Sequence, residues 1–305
     1  SREGDAWVRE DEVEDVALAL YQGVMINLLN PYVARHVSGS GANAVWDRSA
    51  NPQGIIQPQF LVDRAGAIKS GKWSPRPRLT YRRIARTTDA RTVIASAQSG
   101  LPAGDSLFFY VPQADEPERS LLLAAAMASP WYDHEVRSRL GGTNLSDFIM
   151  AETALPEPKR LSALASTAAG LNLFSVRDSS AWLTLAANDG VRSEWRIQPC
   201  ARVTGRVLLD ATTAAVFDLD VDSVLSILDE CDYPSADIGS RANSLRPTGF
   251  WRVDKDKDPE LRHTVLTLVA FHDLEDKIRE CGGDRDAGIE AFLSQNHGEG
   301  WMLPE

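Results

Sequence analysis

The pattern of apolar residues changes partway along this chain, and that change constrains the fold more than any other feature. Residues 79–81, 91–97 and 107–111 are short segments rich in β-branched and aromatic side chains, which predicts strands. In the second half the apolar residues recur at helical spacing, most clearly over residues 263–280. We therefore predict an α+β fold, in which a mixed-sheet domain is followed by a mostly helical C-terminal region.

Prolines and a change of charge divide the chain into three predicted parts. Residues 1–20 are acidic, and residues 11–20 have apolar residues at helical spacing, which indicates a helix or linker. Pro156 and Pro158 interrupt the chain later, so we place a domain boundary near residue 159. Residues 21–159 are accordingly the first domain, and residues 160–305 form the second.

One long helix is predicted inside the first domain. Residues 118–140 have a continuous helical pattern with a leucine-rich and alanine-rich start. Gly141 and Gly142 follow at the position where a left-handed helix cap belongs. We therefore expect these glycines to serve a turn rather than a ligand.

Composition is that of an ordinary globular chain. Of its 305 residues, 43% are hydrophobic and 25% charged, and no apolar run approaches the roughly 20 residues of a membrane span. Cys200, Cys231 and Cys281 lie far apart, outside any metal-binding spacing. We expect no metal site, no membrane partner and a cytoplasmic location. Because Ser1 begins the chain without a methionine or a signal-like leader, we also expect a piece of a longer polypeptide.

Charge is distributed unevenly along the sequence. The net charge is −11, yet residues 63–91 carry nine basic side chains, opposed only by Asp63 and Asp89. A local basic surface can hold nucleic-acid phosphates even in an acidic protein. The predicted phosphate contacts are Lys69, Lys72, Arg76, Arg78, Arg82, Arg83 and Arg86. The alternative is a solvated face that pairs with the acidic N-terminus.

Strand geometry limits how many of these arginines can face one ligand. Successive side chains of a strand point to opposite faces, so only one of Arg82 and Arg83 can contact DNA. We expect the other to form a salt bridge with Asp89. Arg91 is interpreted as a structural residue.

Enzymatic motifs are present only in part. Asn30-Pro31-Tyr32 is similar to the Asn-Pro-Pro-Tyr tetrapeptide of amino-methyltransferases, but one proline is missing and no glycine-rich cofactor turn precedes it. Asp254, Asp256 and Asp258 have the initial spacing of an EF-hand loop, yet Pro259 stands where that loop needs glycine. We therefore predict no catalytic residue and no metal ligand in this chain.

Two blocks of sequence closely resemble one protein family. The block from Arg78-Leu79-Thr80-Tyr81-Arg82-Arg83-Ile84-Ala85 to Arg91-Thr92-Val93-Ile94-Ala95 is similar to a motif of large adenine-N6 DNA methyltransferases. Gly141-Gly142-Thr143-Asn144-Leu145 is similar to a second motif of that family. Asp133 and Arg137 or Arg139 stand at its aspartate and arginine positions, and residues 20–25 resemble the opening of its target-recognition domain.

The resemblance implies DNA target recognition in restriction–modification or phage defence. A catalytic domain of the same polypeptide, absent from this chain and joined through residues 1–20, would bind S-adenosylmethionine and methylate a flipped adenine. The chain itself would need no cofactor, would bind double-stranded DNA and would set sequence specificity without catalysing a reaction. Other defence-system subunits are possible further partners.

Base reading is predicted for amide side chains in the irregular segment 39–60. Asn and Gln form bidentate hydrogen bonds with adenine in the major groove. The candidates are Asn43, Gln53, Gln57 and Gln59. Two alternatives stay open, namely the specificity part of an endonuclease–methyltransferase fusion and a protein-interaction module that docks a partner subunit or an inhibitor.

Overall fold

A computed structural model of the chain describes residues 16–69, 77–110, 117–189, 195–228, 233–241, 244–298 and 301, together with the backbone of residues 2–3 and 6–7. Helices account for 51% of the structure and small antiparallel sheets for 13%, which confirms the predicted α+β class with a helical C-terminal region. Within the described ranges, every helix is too short or too polar to cross a membrane.

The strands are short, and they pair antiparallel. They are β1 (Arg2–Glu3), β2 (Ala6–Trp7), β3 (Ala17–Ala19), β4 (Arg35–Ser38), β5 (Val45–Asp47), β6 (Leu61–Asp63), β7 (Pro77–Arg82), β8 (Ala95–Ser99) and β9 (Leu107–Tyr110). The pairs are β1–β2, β3–β6 and β4–β5, and the largest sheet has the order β8–β7–β9. The expected mixed sheet is therefore antiparallel in the described part of the chain. β7 and β9 confirm two of the predicted strands, whereas the third begins only at Ala95.

Helices fill most of the chain after β9. They are preceded by the short α1 (Arg64–Lys69) and are α2 (Pro117–Ala128), α3 (Pro130–Arg139), α4 (Asp147–Glu152), α5 (Ala165–Asn172), α6 (Ser179–Asp189), α7 (Pro199–Val216), α8 (Val221–Ile227), α9 (Ser235–Arg241), α10 (His263–Glu280), α11 (Arg285–Leu293) and α12 (Gln295–Gly298). The bounds of α10 are those predicted, because its apolar residues repeat over five turns.

The helix predicted over residues 118–140 is divided in two. Pro130 has no backbone N–H and its ring obstructs a continuous helix, so α2 ends before it. Ser129 caps the second helix by accepting a hydrogen bond from the backbone N–H of Tyr132 at 3.3 Å. The left-handed cap predicted at Gly141 and Gly142 is also wrong, because neither glycine has a positive φ.

The helix predicted near the N-terminus is replaced by a strand in the structure. Ala17–Ala19 form β3 and pair with β6, with Ala17 opposite Asp63. Pairing with a strand more than forty residues away overrides a helical pattern that spans only two turns. β1 and β2 also lie within the predicted segment 1–20, whose residues 1, 4–5 and 8–15 lie outside the described residues.

One hydrophobic cluster includes residues on both sides of position 159. α2 packs against β7, β8 and α5. Asn172 of α5 accepts a hydrogen bond from the backbone N–H of Ala97 at 2.8 Å, which pairs an otherwise open edge of β8. The domain boundary near residue 159 stays a prediction.

A buried carboxylate connects α3 to the loop that precedes β8. Asp133 is fully buried and accepts hydrogen bonds from the backbone N–H groups of Thr92 and Val93, at 2.8 and 2.9 Å. Arg91 donates to the same carboxylate from Nε at 3.2 Å, and Arg137 donates to its other oxygen. Charge-assisted hydrogen bonds are the stronger ones, so this group defines the path of the loop. Arg91 thus has the structural role interpreted from the sequence.

Arg137 extends the hydrogen-bond network of Asp133 to other segments of the chain. Its guanidinium donates hydrogen bonds to the backbone carbonyls of Asp89, Ala90 and Thr248. The guanidinium carbon also lies 4.4 Å from the ring centroid of Phe250. One side chain of α3 therefore links the loop before β8 to the segment before α10.

We expect Asp133→Asn to lower the free energy of unfolding by about 3–5 kcal/mol, since it leaves two buried guanidiniums without their carboxylate. Equilibrium unfolding in urea measures this loss. The matched control is Asp276→Asn, which removes the surface partner of Arg279 on α10 and is expected to cost less than about 1 kcal/mol. Equal losses in the two variants would contradict a central role for Asp133.

Candidate nucleic-acid interface

Arg78, a predicted phosphate contact, lies inside the protein. It is only 1% exposed in β7, and burial lowers the pKa of its guanidinium to about 10. The guanidinium donates a hydrogen bond to the carbonyl of Leu101 and lies 4.5 Å from the ring centroid of Phe109. The prediction that Arg78 contacts DNA is therefore wrong, because its charge is enclosed by the sheet and the loop before β9.

Arg82 and Arg83 diverge at the end of β7, as strand alternation requires. Arg82 donates a hydrogen bond to the carbonyl of Ile26 at 2.5 Å, and burial lowers its pKa. Arg83 is 40% exposed and pairs with Asp105 at 2.6 Å. The prediction that Asp89 is the partner is thus wrong, because β9 pairs with β7 and brings Asp105, which precedes β9, close to Arg83. Arg82 has a structural role, and Arg83 keeps a partly exposed cation.

Two of the predicted phosphate contacts have exposed charges. Lys69 is the last residue of α1, and Arg86 lies in the turn that follows β7. Within the described ranges, neither side chain is engaged in a hydrogen bond or an ion pair. Lys72 and Arg76 lie outside the described residues.

Arg48 is an exposed cation that was not among the predicted phosphate contacts. It directly follows β5, outside the basic segment 63–91. Its charge lowers the pKa of Arg82, after the larger effect of burial, so the two guanidiniums are neighbours. Arg48 and Arg82 are far apart in sequence, so the tertiary structure brings them together and no local pattern in the sequence signals it.

The β4–β5 hairpin is stiffened by pairs across its two strands. Arg35 forms an ion pair with Asp47, and it also donates a hydrogen bond to Ser49 Oγ at 2.7 Å. The rings of His36 and Trp46 meet edge to face, with centroids 5.4 Å apart. Such pairs are the main source of stability in a two-stranded ribbon. We name residues 35–60, this hairpin with its following loop, the hairpin arm.

Three of the four amide candidates are exposed on the hairpin arm. Asn43 ends the 3-10 turn at the hairpin tip, Gln53 lies in the next turn, and Gln57 lies beside β4. The carbonyl of Gln57 accepts a hydrogen bond from the backbone N–H of His36 at 2.8 Å, which holds it against that strand. The arm therefore offers exposed amides from a braced backbone.

Glycine at the hairpin tip sets the position of Asn43. Gly39 has φ +74°, and a Cβ on it would lie 2.2 Å from the carbonyl oxygen of Asn43. Any other residue would have to move the tip, since both the conformation and the space favour glycine.

Gln59 differs from the other amides. It is half-buried, and its Nε2 is buried without a hydrogen-bond partner among the described residues. An enclosed amide nitrogen cannot reach a base edge in this conformation. The structure therefore contradicts Gln59 as a base-reading residue.

The two sequence blocks that carry the family resemblance lie against each other. Ala85 donates a backbone hydrogen bond to the carbonyl of Thr143 at 3.0 Å, and Leu145 donates one to Arg83 at 2.8 Å. Ile84 and Asn144 form an antiparallel bridge between these bonds. The similar residues thus build one structural unit, which the buried Asp133 network continues.

Comparison of the chain with protein-family models, with curated proteins and with solved structures gave no match.

We expect Arg78→Met to leave affinity for duplex DNA unchanged within twofold, because this guanidinium is not accessible. Stability should change by less than about 1 kcal/mol, since methionine matches the length of the stem and a buried charge is removed. Fluorescence anisotropy of a labelled duplex and urea unfolding measure the two quantities. A large loss of DNA affinity in a stably folded variant would indicate that Arg78 contacts DNA.

Proposed function

We propose that this chain is the DNA target-recognition region of a site-specific adenine-N6 DNA methyltransferase that acts in restriction–modification or phage defence. It binds duplex DNA and sets sequence specificity, and it catalyses no reaction by itself. S-adenosylmethionine binding and methyl transfer belong to a catalytic domain of the same polypeptide. The proposed location is the cytoplasm, with other defence-system subunits as further partners.

The observation that carries the proposal is the hairpin arm with its exposed amides. A B-DNA major groove is about 12 Å wide and admits a two-stranded ribbon, whose strands lie about 4.8 Å apart. Asn43 at the tip and Gln57 beside β4 have the side chains that pair bidentately with adenine. An arm that is braced by cross-strand pairs holds these amides in place before binding, which lowers the entropic cost of recognition.

Exposed cations supply the phosphate contacts in this proposal. Arg48 follows the hairpin directly, while Lys69 ends α1 and Arg86 follows β7. Phosphate contacts orient a protein on the duplex, and base contacts then select the sequence. Arg48, Lys69 and Arg86 therefore take the place of Arg78 and Arg82, which the sequence predicted as phosphate contacts.

The family resemblance supports the methyltransferase assignment independently of charge. Its two sequence blocks pair through Ala85 and Leu145, and its aspartate position, Asp133, is the buried acceptor that fixes the loop before β8. The same role suits the specificity part of an endonuclease–methyltransferase fusion, because both kinds of protein read the target in the same way.

A protein-interaction module is the second candidate function. Val37 is 60% and Leu61 64% exposed, so the arm and the adjoining β6 present apolar surface as well as amides. Exposed apolar patches are typical of protein interfaces. The salt dependence of binding affinity distinguishes the two functions. Phosphate contacts make the affinity fall steeply with ionic strength, whereas an apolar interface does not have this dependence.

We expect the triple variant Arg48→Gln, Lys69→Gln and Arg86→Gln to weaken binding to all duplexes alike. The slope of log affinity against log salt should decrease by about 0.9 for each phosphate contact removed. Anisotropy titrations at several salt concentrations measure both effects.

The control triple is Lys255→Gln, Lys277→Gln and Arg279→Gln, which removes the same charge from two exposed positions and one half-exposed position near and on α10. It should keep the wild-type slope. Equal slopes in the two triple variants would contradict phosphate contacts by the first set.

Base reading has a separate test. Asn43→Ala or Gln57→Ala should reduce discrimination between preferred and altered sequences by about 1–3 kcal/mol at one base pair, because a bidentate pair with adenine is lost. Selection of bound sequences from randomised duplexes measures the preference. Gln198→Ala, at an exposed position before α7, is the control. An unchanged preference in both arm variants would exclude these amides from base reading.

A further inference from the structure

A cavity of about 390 Å³ opens between α3 and the segment that precedes α10. Three basic side chains line it, namely His134, Arg137 and Arg246. Thr87 and Ser138 add hydroxyl groups, and none of the lining residues that the structure describes is acidic. A cavity of this size falls within the range of small-molecule sites, which is about 300–1,000 Å³.

Among the described residues of the network behind this cavity, positive charge exceeds negative charge. Arg91 and Arg137 share the single buried carboxylate of Asp133. Arg252, half-buried beside them, donates its hydrogen bonds to backbone carbonyls, including that of Asp89 at 2.6 Å. Buried cations in excess of their carboxylates are costly, and a bound anion would relieve that cost.

Besides Asp133, the described acidic residues whose charges act on the basic side chains at the cavity are Asp89 and Glu135. The carboxylate of Asp89 is exposed, and its charge raises the pKa of Arg252 against the larger lowering by burial and by Arg137. Glu135, next to His134 on α3, is engaged by Arg139 at 2.6 Å on the protein surface.

His134 is a partly buried imidazole in the wall of the cavity. Its ring is half-buried, and burial is the largest cause that lowers its pKa. The charges of Arg246 and Arg137 lower that pKa further, while Glu135 and Asp133 oppose them. The imidazole therefore stays neutral near pH 7, where it can donate a hydrogen bond without adding charge.

Another part of the wall is apolar. Leu140, Ile227 and Phe250 form it, beside Thr248 and Gly249, and Phe250 lies under the guanidinium of Arg137. An inorganic anion would contact only the basic side of such a cavity. The combination fits an anionic head group attached to an organic portion.

We propose that this cavity binds the phosphate of a phosphate ester, with Arg246 and His134 as direct ligands and Arg137 as the charge behind them. Arginine with nearby hydroxyl donors is well suited to phosphate oxygens. The phosphate comes either from a DNA backbone or from a small phosphate ester. The site is distinct from the hairpin arm and does not depend on the function proposed above.

Titration with inorganic phosphate at constant ionic strength tests the site in the full chain. The chain has five histidines, so the ring nitrogens of His134 can be followed by NMR and assigned with His134→Gln. We expect a saturable shift of this resonance. Arg246→Gln should weaken phosphate binding at least tenfold, and Ser138→Ala should weaken it less.

Arg279→Gln on α10 is the matched control and should bind phosphate like the wild type. Urea unfolding verifies that each variant is folded. The absence of a saturable shift in the wild type would overturn the proposal. Equal phosphate affinity in folded Arg246→Gln and wild type would overturn it as well.

Two further titrations identify the source of the phosphate. If the source is DNA, a duplex shifts the same resonance and inorganic phosphate competes with it. If the source is a small ester, the duplex leaves the resonance unchanged and phenyl phosphate binds more tightly than inorganic phosphate, because its ring contacts the apolar wall. Both results support a phosphate site. Loss of the hairpin arm's DNA contacts would not change the inorganic phosphate titration, so the two proposals fail separately.

Discussion

The carboxylate of Asp133 is the group on which the described fold depends most. It satisfies two backbone N–H groups of the loop before β8 and neutralises part of the charge of Arg91 and Arg137. Arg137 then satisfies three backbone carbonyls, one of them in the segment before α10. Because buried polar groups must find partners, loss of this carboxylate would leave two backbone N–H groups and two guanidinium N–H groups unpaired at once.

Arginine acts in this protein mainly as a donor to backbone carbonyls. Arg78 donates to Leu101, Arg82 to Ile26, and Arg202 of α7 to Leu29. Segments without regular structure expose carbonyls that a sheet or helix would otherwise pair, and a guanidinium has five N–H donors to offer them. A basic stretch of sequence can therefore consist of arginines that hold irregular segments in place. Only the exposed arginines of such a stretch are available to bind a phosphate.

Local patterns predicted the elements whose apolar repeat is long or strongly β-branched. The helix His263–Glu280 and the strands β7 and β9 follow from spacing within a few residues, which is why they could be recognised. Prediction failed where a single residue or a distant partner decided the outcome. Pro130 divided a continuous helical pattern, and pairing with β6 made a strand of Ala17–Ala19. Among the site residues, exposure separated Asn43, Gln53 and Gln57 from Gln59.

The sequence by itself determined the α+β class with its helical C-terminal region, and the structural part played by Arg91. The tertiary structure alone decided which basic side chains face solvent, since it enclosed Arg78 and brought Arg48 beside Arg82. It also placed the two motif blocks against each other and formed the basic cavity along α3. The physical reason is one of range, because the backbone conformation follows from neighbouring residues, whereas burial and charge pairing follow from residues far away in the chain.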